Sequence, residues 1–339
     1  MRTISYSRAT DVPTAVGAVT ADPGSAFLAG GTNQVDLLRI YVEQPARLVD
    51  INDLPLRQIE ESPGGGLQIG ALARMSDVAG HRLVRQRFPV LAQALLLGAS
   101  PQLRNMASMG GNLMQRTRCA YFRDLASPCN KRTPGAGCGA MHGVNRGHAV
   151  LGTSDMCIAT HPSDLAVALV ALDAVVYTRG AVASRDIPVD DFFLLPGNTP
   201  DREHPIEHGE LIETIEVPAS PIAARSAYLK VRDRESYEFA LVSVAAAVAV
   251  EAGTITDVRL ALGGVATRPW RARQAEQVLR GAPATVETFM AAAGREMAAS
   301  VAHGMNEFKI ELARRTIVRA LGAITAEDWP AATRAAGVA

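Results

Sequence analysis

All four cysteines of the chain lie between Cys119 and Cys157, inside a stretch from about residue 113 to 162 with neither helical nor strand periodicity. Fifty residues without regular structure are uncommon in a compact protein, so this stretch needs an organiser other than a helix or sheet. The spacing is Cys119, nine residues, Cys129, eight, Cys138, eighteen, Cys157. Four thiolates in glycine-rich sequence can hold a cubane iron-sulfur cluster or a tetrahedral metal. The Cys-x2-Cys knuckles of structural zinc sites are missing. Two disulfides would require an oxidising compartment. Cluster, zinc, and disulfides or free thiols are thus the three readings. Arg116, Arg118, Arg123, Lys131, Arg132 and Arg146 surround the cysteines, with Asp124 and Asp155 the only acids between 113 and 160. These cations either offset the charge of a tetrathiolate cluster or form a solvated or docking face. His142, His148 and His161 are expected outside the ligand set, since a histidine ligand would leave a cysteine unused.

The rest of the chain is regular. Its 339 residues suit two or three domains. Lys plus Arg and Asp plus Glu are 34 each, so no whole-molecule field favours nucleic acid or an anionic membrane. No apolar run reaches membrane-spanning length. Met1 to Tyr6 lack the apolar core of a secretory signal, so export is expected only with a signal-bearing partner.

Asp11 is placed to cap a helix to about Ala18. Strand 26–28, a Gly30-Gly31 turn, helical spacing of Val35, Leu37, Leu38 and Tyr41, and strand 48–51 predict a βαβ unit. A hairpin is expected at 58–61 and 67–70, helical material from 76 to 97 broken before Pro89, a helix at 164–172 and strands at 174–178 and 211–217. Pro218 and Pro221 mark a boundary. Beyond it, 227–231, 241–250 and 254–262 predict a three-stranded antiparallel meander, with helices at 271–279, 285–299 and 308–321 and a frayed tail after Pro330.

Two glycine turns carry the binding chemistry. Leu28-Ala29-Gly30-Gly31-Thr32-Asn33-Gln34 joins a strand to a helix start, where free backbone N-H groups favour a phosphate and glycine permits close approach. Alone, such a turn is also a plain tight connection. Ala107-Ser108-Met109-Gly110-Gly111-Asn112 is a second, and two could embrace a diphosphate.

These turns, followed by Pro162-Ser163-Asp164 with Leu165 to Ala174, then Tyr228-Leu229-Lys230-Val231-Arg232-Asp233-Arg234 and Phe239 to Ala246, resemble the FAD-binding subunit of molybdenum hydroxylases. These are the medium chains of xanthine dehydrogenase, carbon monoxide dehydrogenase and aldehyde oxidoreductase systems. The resemblance covers essentially the whole chain. It implies an α+β fold: a two-subdomain FAD-binding domain of the PCMH type, with subdomains at 1–55 and 56–220, and a C-terminal α+β domain at 221–330 like that of the carbon monoxide dehydrogenase flavoprotein. Residues Ala29 to Asn33 and Ser108 to Asn112 would wrap the FAD diphosphate, Asp164 would bond the ribityl or ring region, and Lys230 would lie near the isoalloxazine edge. A cation there would stabilise the anionic reduced flavin. Asp164 is equally placed as a helix N-cap. Ala71-Leu72-Ala73-Arg74 departs from the family, which often carries threonines there, so no cofactor contact is expected from it.

All four cysteines fall where simpler members have only about ten residues between the Gly-Gly-Asn turn and the Ser-Asp motif. The segment is similar to the 4Fe-4S insertion of the periplasmic aldehyde oxidoreductase flavin subunit, and more distantly to 4-hydroxybenzoyl-CoA reductase. The resemblance therefore implies an electron-transfer subunit holding FAD and a 4Fe-4S cluster on Cys119, Cys129, Cys138 and Cys157. It would serve a heterotrimeric aldehyde oxidoreductase making carboxylic acids. The molybdenum cofactor would lie in a large partner, two 2Fe-2S clusters in a small one, and an external acceptor would take the electrons. No residue of this chain is expected to act as acid or base. The compartment is the periplasm if the chain is co-exported, otherwise the cytoplasm. The rivals are a xanthine or hydroxybenzoyl-CoA type hydroxylase subunit, a stand-alone flavin oxidase, and a zinc-structured, non-catalytic binding module.

Overall fold

The computed structural model describes residues 3–329; the tail after Pro330 lies outside them. The first 50 residues form β1 (Ser5–Arg8), α1 (Val12–Thr20), β2 (Ser25–Leu28), α2 (Gln34–Arg39) and β3 (Arg47–Asp50), with a parallel sheet of order β1-β3-β2. Asp11 caps α1, its Oδ1 accepting the Thr14 N-H at 2.7 Å. The expected βαβ unit is β2-α2-β3. Strand β1 was not foreseen, because its largely exposed side chains carry no apolar alternation. Val16, Val19, Val49, Ile51 and Leu54 form the core beneath this sheet.

β4 (Ile59–Glu61) and β5 (Leu67–Gly70) form the expected hairpin. Helices α3 (Met75–Gly80), α4 (Arg82–Arg87), α5 (Pro89–Leu97), α6 (Pro101–Met106) and α7 (Met109–Leu113) follow. Pro89 at the start of α5 ends α4, since a proline disfavours helical backbone in the residue before it. The cysteine segment contributes α8 (Ala120–Arg123) and otherwise turns. Then come α9 (Asp164–Ala171), β6 (Val175–Arg179), β7 (Ser184–Pro188), α10 (Val189–Phe192) and β8 (Leu211–Val217). The antiparallel sheet has order β4-β5-β8-β6-β7. Every residue of α9 is buried, as suits a helix apolar on all sides, and it packs between α5 and the C-terminal sheet.

That sheet comprises β9 (Ser226–Val231), β10 (Val242–Glu251), β11 (Thr254–Gly263) and β12 (Trp270–Arg271) in the order β12-β11-β10-β9. It is four-stranded, which corrects the expected three. Arg271, read as the start of a helix, and its neighbour Trp270 pair with Ala261 and Leu262 before α11 (Arg273–Leu279) begins. Ala252 and Gly253 both adopt positive φ, the geometry of a tight two-residue hairpin. Beyond α11, α12 (Val286–Glu296), a 3-10 turn and α13 (Phe308–Thr325) follow among the described residues, α13 packing on β10 opposite α9. Being covered on both faces explains why β10 reads as a run of valines and alanines. Among the described residues no helix is long and apolar enough to cross a membrane.

Candidate functional site

The two glycine turns meet. At Gly30 a Cβ would stand 1.9 Å from the Met106 carbonyl oxygen, so only glycine lets the first turn lie on the chain entering the second. Gly31 takes a positive φ of 72°. On the other side Ser108 caps α7 through the Gly111 N-H, and the Gly110 N-H donates to Ala71 O at 2.8 Å. Between them opens a cleft of about 330 Å³, lined by residues 29–34, Ser108, Gly110 and Gly111. Ala71 and Leu72 also line it. Leu28 and Asn112 do not line it: Leu28 belongs to β2, and the Asn112 side chain is bonded to Ser163.

A second cleft of about 320 Å³ opens beyond residues 116–119, with Arg116 lining the first and Arg118 the second. Asp164 is on its wall. Ser163, not Asp164, caps α9, its Oγ accepting the Ala166 N-H at 3.0 Å; this corrects the N-cap reading of Asp164. Asp164 instead accepts from Lys230 Nζ at 2.7 Å and from the Tyr228 hydroxyl at 2.8 Å, and that hydroxyl stands 2.8 Å from Ser243 Oγ. Burial raises the Asp164 carboxyl above the usual carboxylate range, against the opposing pull of Lys230 and Tyr228. The Lys230 ammonium, with a second acceptor in Leu97 O, is buried behind Asp164 and off the cleft wall. Tyr228 and Ser243 escaped the sequence reading. Strand spacing held the clue, since Tyr228 and Lys230, two apart in β9, share one face, and Lys230 pairs with Ser243 in β10.

The four cysteines line one small cavity, and none is in a disulfide. Cys129 and Cys138 face each other across an isolated antiparallel bridge. The Arg132 guanidinium shapes the surrounding loop by donating to the Tyr121, Phe122 and Ser127 carbonyls. Cys119 Sγ lies 3.2 Å from His148 Nε2. Burial pushes the Cys119 thiol up to about 11 and also raises Cys157. Among the described residues, no group of three or more Cys, His, Asp or Glu side chains is set to hold a single metal ion. His142 is exposed, whereas His161 packs edge-on against Phe193 at 4.6 Å.

The cations of the segment other than Arg132 are paired with acids elsewhere in the fold. Arg116 bonds Glu43 and Glu203, Lys131 bonds Glu203, Arg118 and Arg123 share Asp36 on α2, and Arg146 pairs with Asp233. Burial works to raise the Glu203 carboxyl, but Lys131 and Arg116 overcome it and bring it down to about 2. They are fasteners of the segment rather than a free docking face.

Residues 2–220 match the FAD binding domain in molybdopterin dehydrogenase, and residues 226–324 match the CO dehydrogenase flavoprotein C-terminal domain. The chain belongs to the FAD-binding medium subunits of the molybdenum hydroxylases. Among this family's members, it is 46% identical over 329 residues to the aldehyde oxidoreductase FAD-binding subunit PaoB of Escherichia coli, covering 96% of this chain and all of that one. It is 29% identical to the carbon monoxide dehydrogenase medium chain of Hydrogenophaga pseudoflava, over 88% of each. A solved carbon monoxide dehydrogenase from H. pseudoflava, lacking the Mo-pyranopterin moiety, superposes with a TM-score of 0.74 at 26% identity, over 95% of this chain and 97% of that one. As a medium subunit of this family, the chain is an oxidoreductase component that takes FAD.

Proposed function

We propose that this chain is the electron-transfer subunit of a heterotrimeric molybdenum-dependent aldehyde oxidoreductase, carrying FAD and a 4Fe-4S cluster. The 46% identity to an aldehyde oxidoreductase FAD-binding subunit over nearly the full length of both chains carries this reading. Bound FAD would supply one- and two-electron chemistry and the cluster one-electron chemistry. The chain's own task is to bind and orient. The backbone of residues 29–34 and of Ser108, Gly110 and Gly111 would hold the diphosphate, with Leu28 and Asn112 bracing the turns from behind. Asp164 would accept from the flavin end of the cofactor, held in place by Lys230 and Tyr228, and Lys230 would act through it as a buried counter-charge. Support for the cluster comes from the four thiols that line one cavity. The chain's division is proposed at 1–55, 56–220 and 221–330, the middle part carrying the cysteine segment. The large partner would hold the molybdenum cofactor and the small one two 2Fe-2S clusters. The compartment would be periplasmic if a partner bears the export signal.

The test is anaerobic purification of the complex with flavin, iron, sulfide and molybdenum analysis, followed by titration with an aldehyde, xanthine or carbon monoxide. Bleaching of the flavin band by the aldehyde alone is the expected result. Bleaching by xanthine instead would move the chain to the purine branch, and a preparation with zinc but no iron would remove the cluster.

A further inference from the structure

The cysteine cavity and the second cleft have a common wall, and Cys119 and His148 line that cleft side by side. His148 is only 8% exposed, and its Nε2 lies 3.2 Å from Cys119 Sγ, while its Nδ1 is buried without a partner. A thiolate bound to iron has no proton to offer, so a hydrogen bond at this distance requires the proton on Nε2, leaving Nδ1 a bare acceptor. The backbone holds the ring there from both sides. The His148 N-H donates to Asn145 O at 2.9 Å, and its carbonyl accepts from Lys309 Nζ at 3.0 Å and Asn306 Nδ2 at 3.4 Å. Cys157, by contrast, takes only a longer backbone N-H, from Ala159 at 3.5 Å.

We infer that His148 is a positioning residue that donates its Nε2-H to the Cys119 thiolate on the side of the cluster facing the flavin cleft, and so raises the cluster's reduction potential. The inference rests on the cluster reading above. An N-H donated to a ligand sulfur withdraws charge from it and favours the more negative, reduced cluster. Cys119 is the ligand that gains this donor because it borders both spaces.

The experiment is an EPR-monitored redox titration of the complex purified without oxygen, comparing the unaltered chain with His148→Leu and His148→Gln, with iron counted in each. His148→Leu is expected to shift the reduction equilibrium about tenfold towards the oxidised cluster, which is a fall of about 59 mV for a one-electron couple. His148→Gln, which keeps an N-H, is expected to fall less. Pulsed EPR of the reduced cluster with 15N-labelled histidine should show a weak nitrogen coupling that disappears in both variants. If His148→Leu loses its iron while His148→Gln retains it, the donor role is supported as well. Unchanged midpoints with iron retained, or iron lost from both variants, overturns the inference. Absence of iron and sulfide from the unaltered complex defeats the cluster reading itself, and this inference with it.

Discussion

The glycine-turn cleft and the cysteine cavity lie close together but are built in opposite ways. The cleft is a by-product of regular structure: β2, α2 and α7 bring two short turns face to face, and the cleft depends on the absence of side chains at Gly30 and Gly110. The cysteine cavity has one short helix and is held by side chains reaching from elsewhere, among them Arg116, Arg118 and Arg123 to acids of the scaffold and Lys309 and Asn306 from near the C-terminus. A site made by backbone geometry is broken by adding an atom, and a site made by ties is broken by removing one.

The largest effect is expected from adding an atom. Gly30→Ala places a methyl carbon 1.9 Å from a main-chain oxygen, so the protein should lose about 3 kcal/mol of stability and its flavin, checked by thermal unfolding and flavin content. An unchanged melting curve with full flavin would erase the contrast between the two regions. Lys309→Met removes the ammonium that bonds the Gly147, His148 and Gly264 carbonyls, at a cost of roughly 2–3 kcal/mol. Iron per chain should fall while flavin per chain holds, and equal loss of both would show that the two sites stand or fall together.

A third test uses pH. The folded Glu203 carboxyl is held at about 2, below its ordinary 4.5, so it binds fewer protons than in the unfolded chain. Its stabilisation is therefore fully present above pH 4.5 and is lost as pH falls towards 2, amounting to roughly 3 kcal/mol. Glu203→Gln should flatten the acid limb of the stability profile, and an unaltered limb would mean that the Arg116 and Lys131 ties are not what holds the segment. The smallest effect belongs to Asp36→Asn. Arg123 and Arg118 hold this carboxyl below its usual range, but it is a third exposed, so its loss should cost only about 0.5–1 kcal/mol in denaturant titrations.

The same difference decided what the sequence disclosed. Periodicity found α9, β10 and β11 because each buries a repeating apolar face, and the paired glycines revealed the first cleft because a turn between strand and helix is a local event. Strands β1 and β7 and the two-residue β12 were missed: β1 and β7 are short and largely exposed, and β12 is too short to show a period. The cysteines were visible as a group and do share one cavity, yet neither the Glu203 tie to Arg116 nor the His148 contact with Cys119 could be read, since each joins residues far apart in sequence with no period to link them.

The attachment of the cysteine segment to the C-terminal domain has a consequence for biosynthesis. Asn145 donates to His303 O, Asn306 donates to Ala149 O at 2.9 Å, and Lys309 donates to His148 O, so each bond joins groups 157 to 161 residues apart on the growing chain. While the ribosome is still translating the four-stranded sheet, the last cysteine has emerged but the clasp over residues 145–149 does not yet exist. Iron and sulfide delivered at that stage would meet an unclosed pocket, so the proposed cluster would be inserted after release of the finished polypeptide.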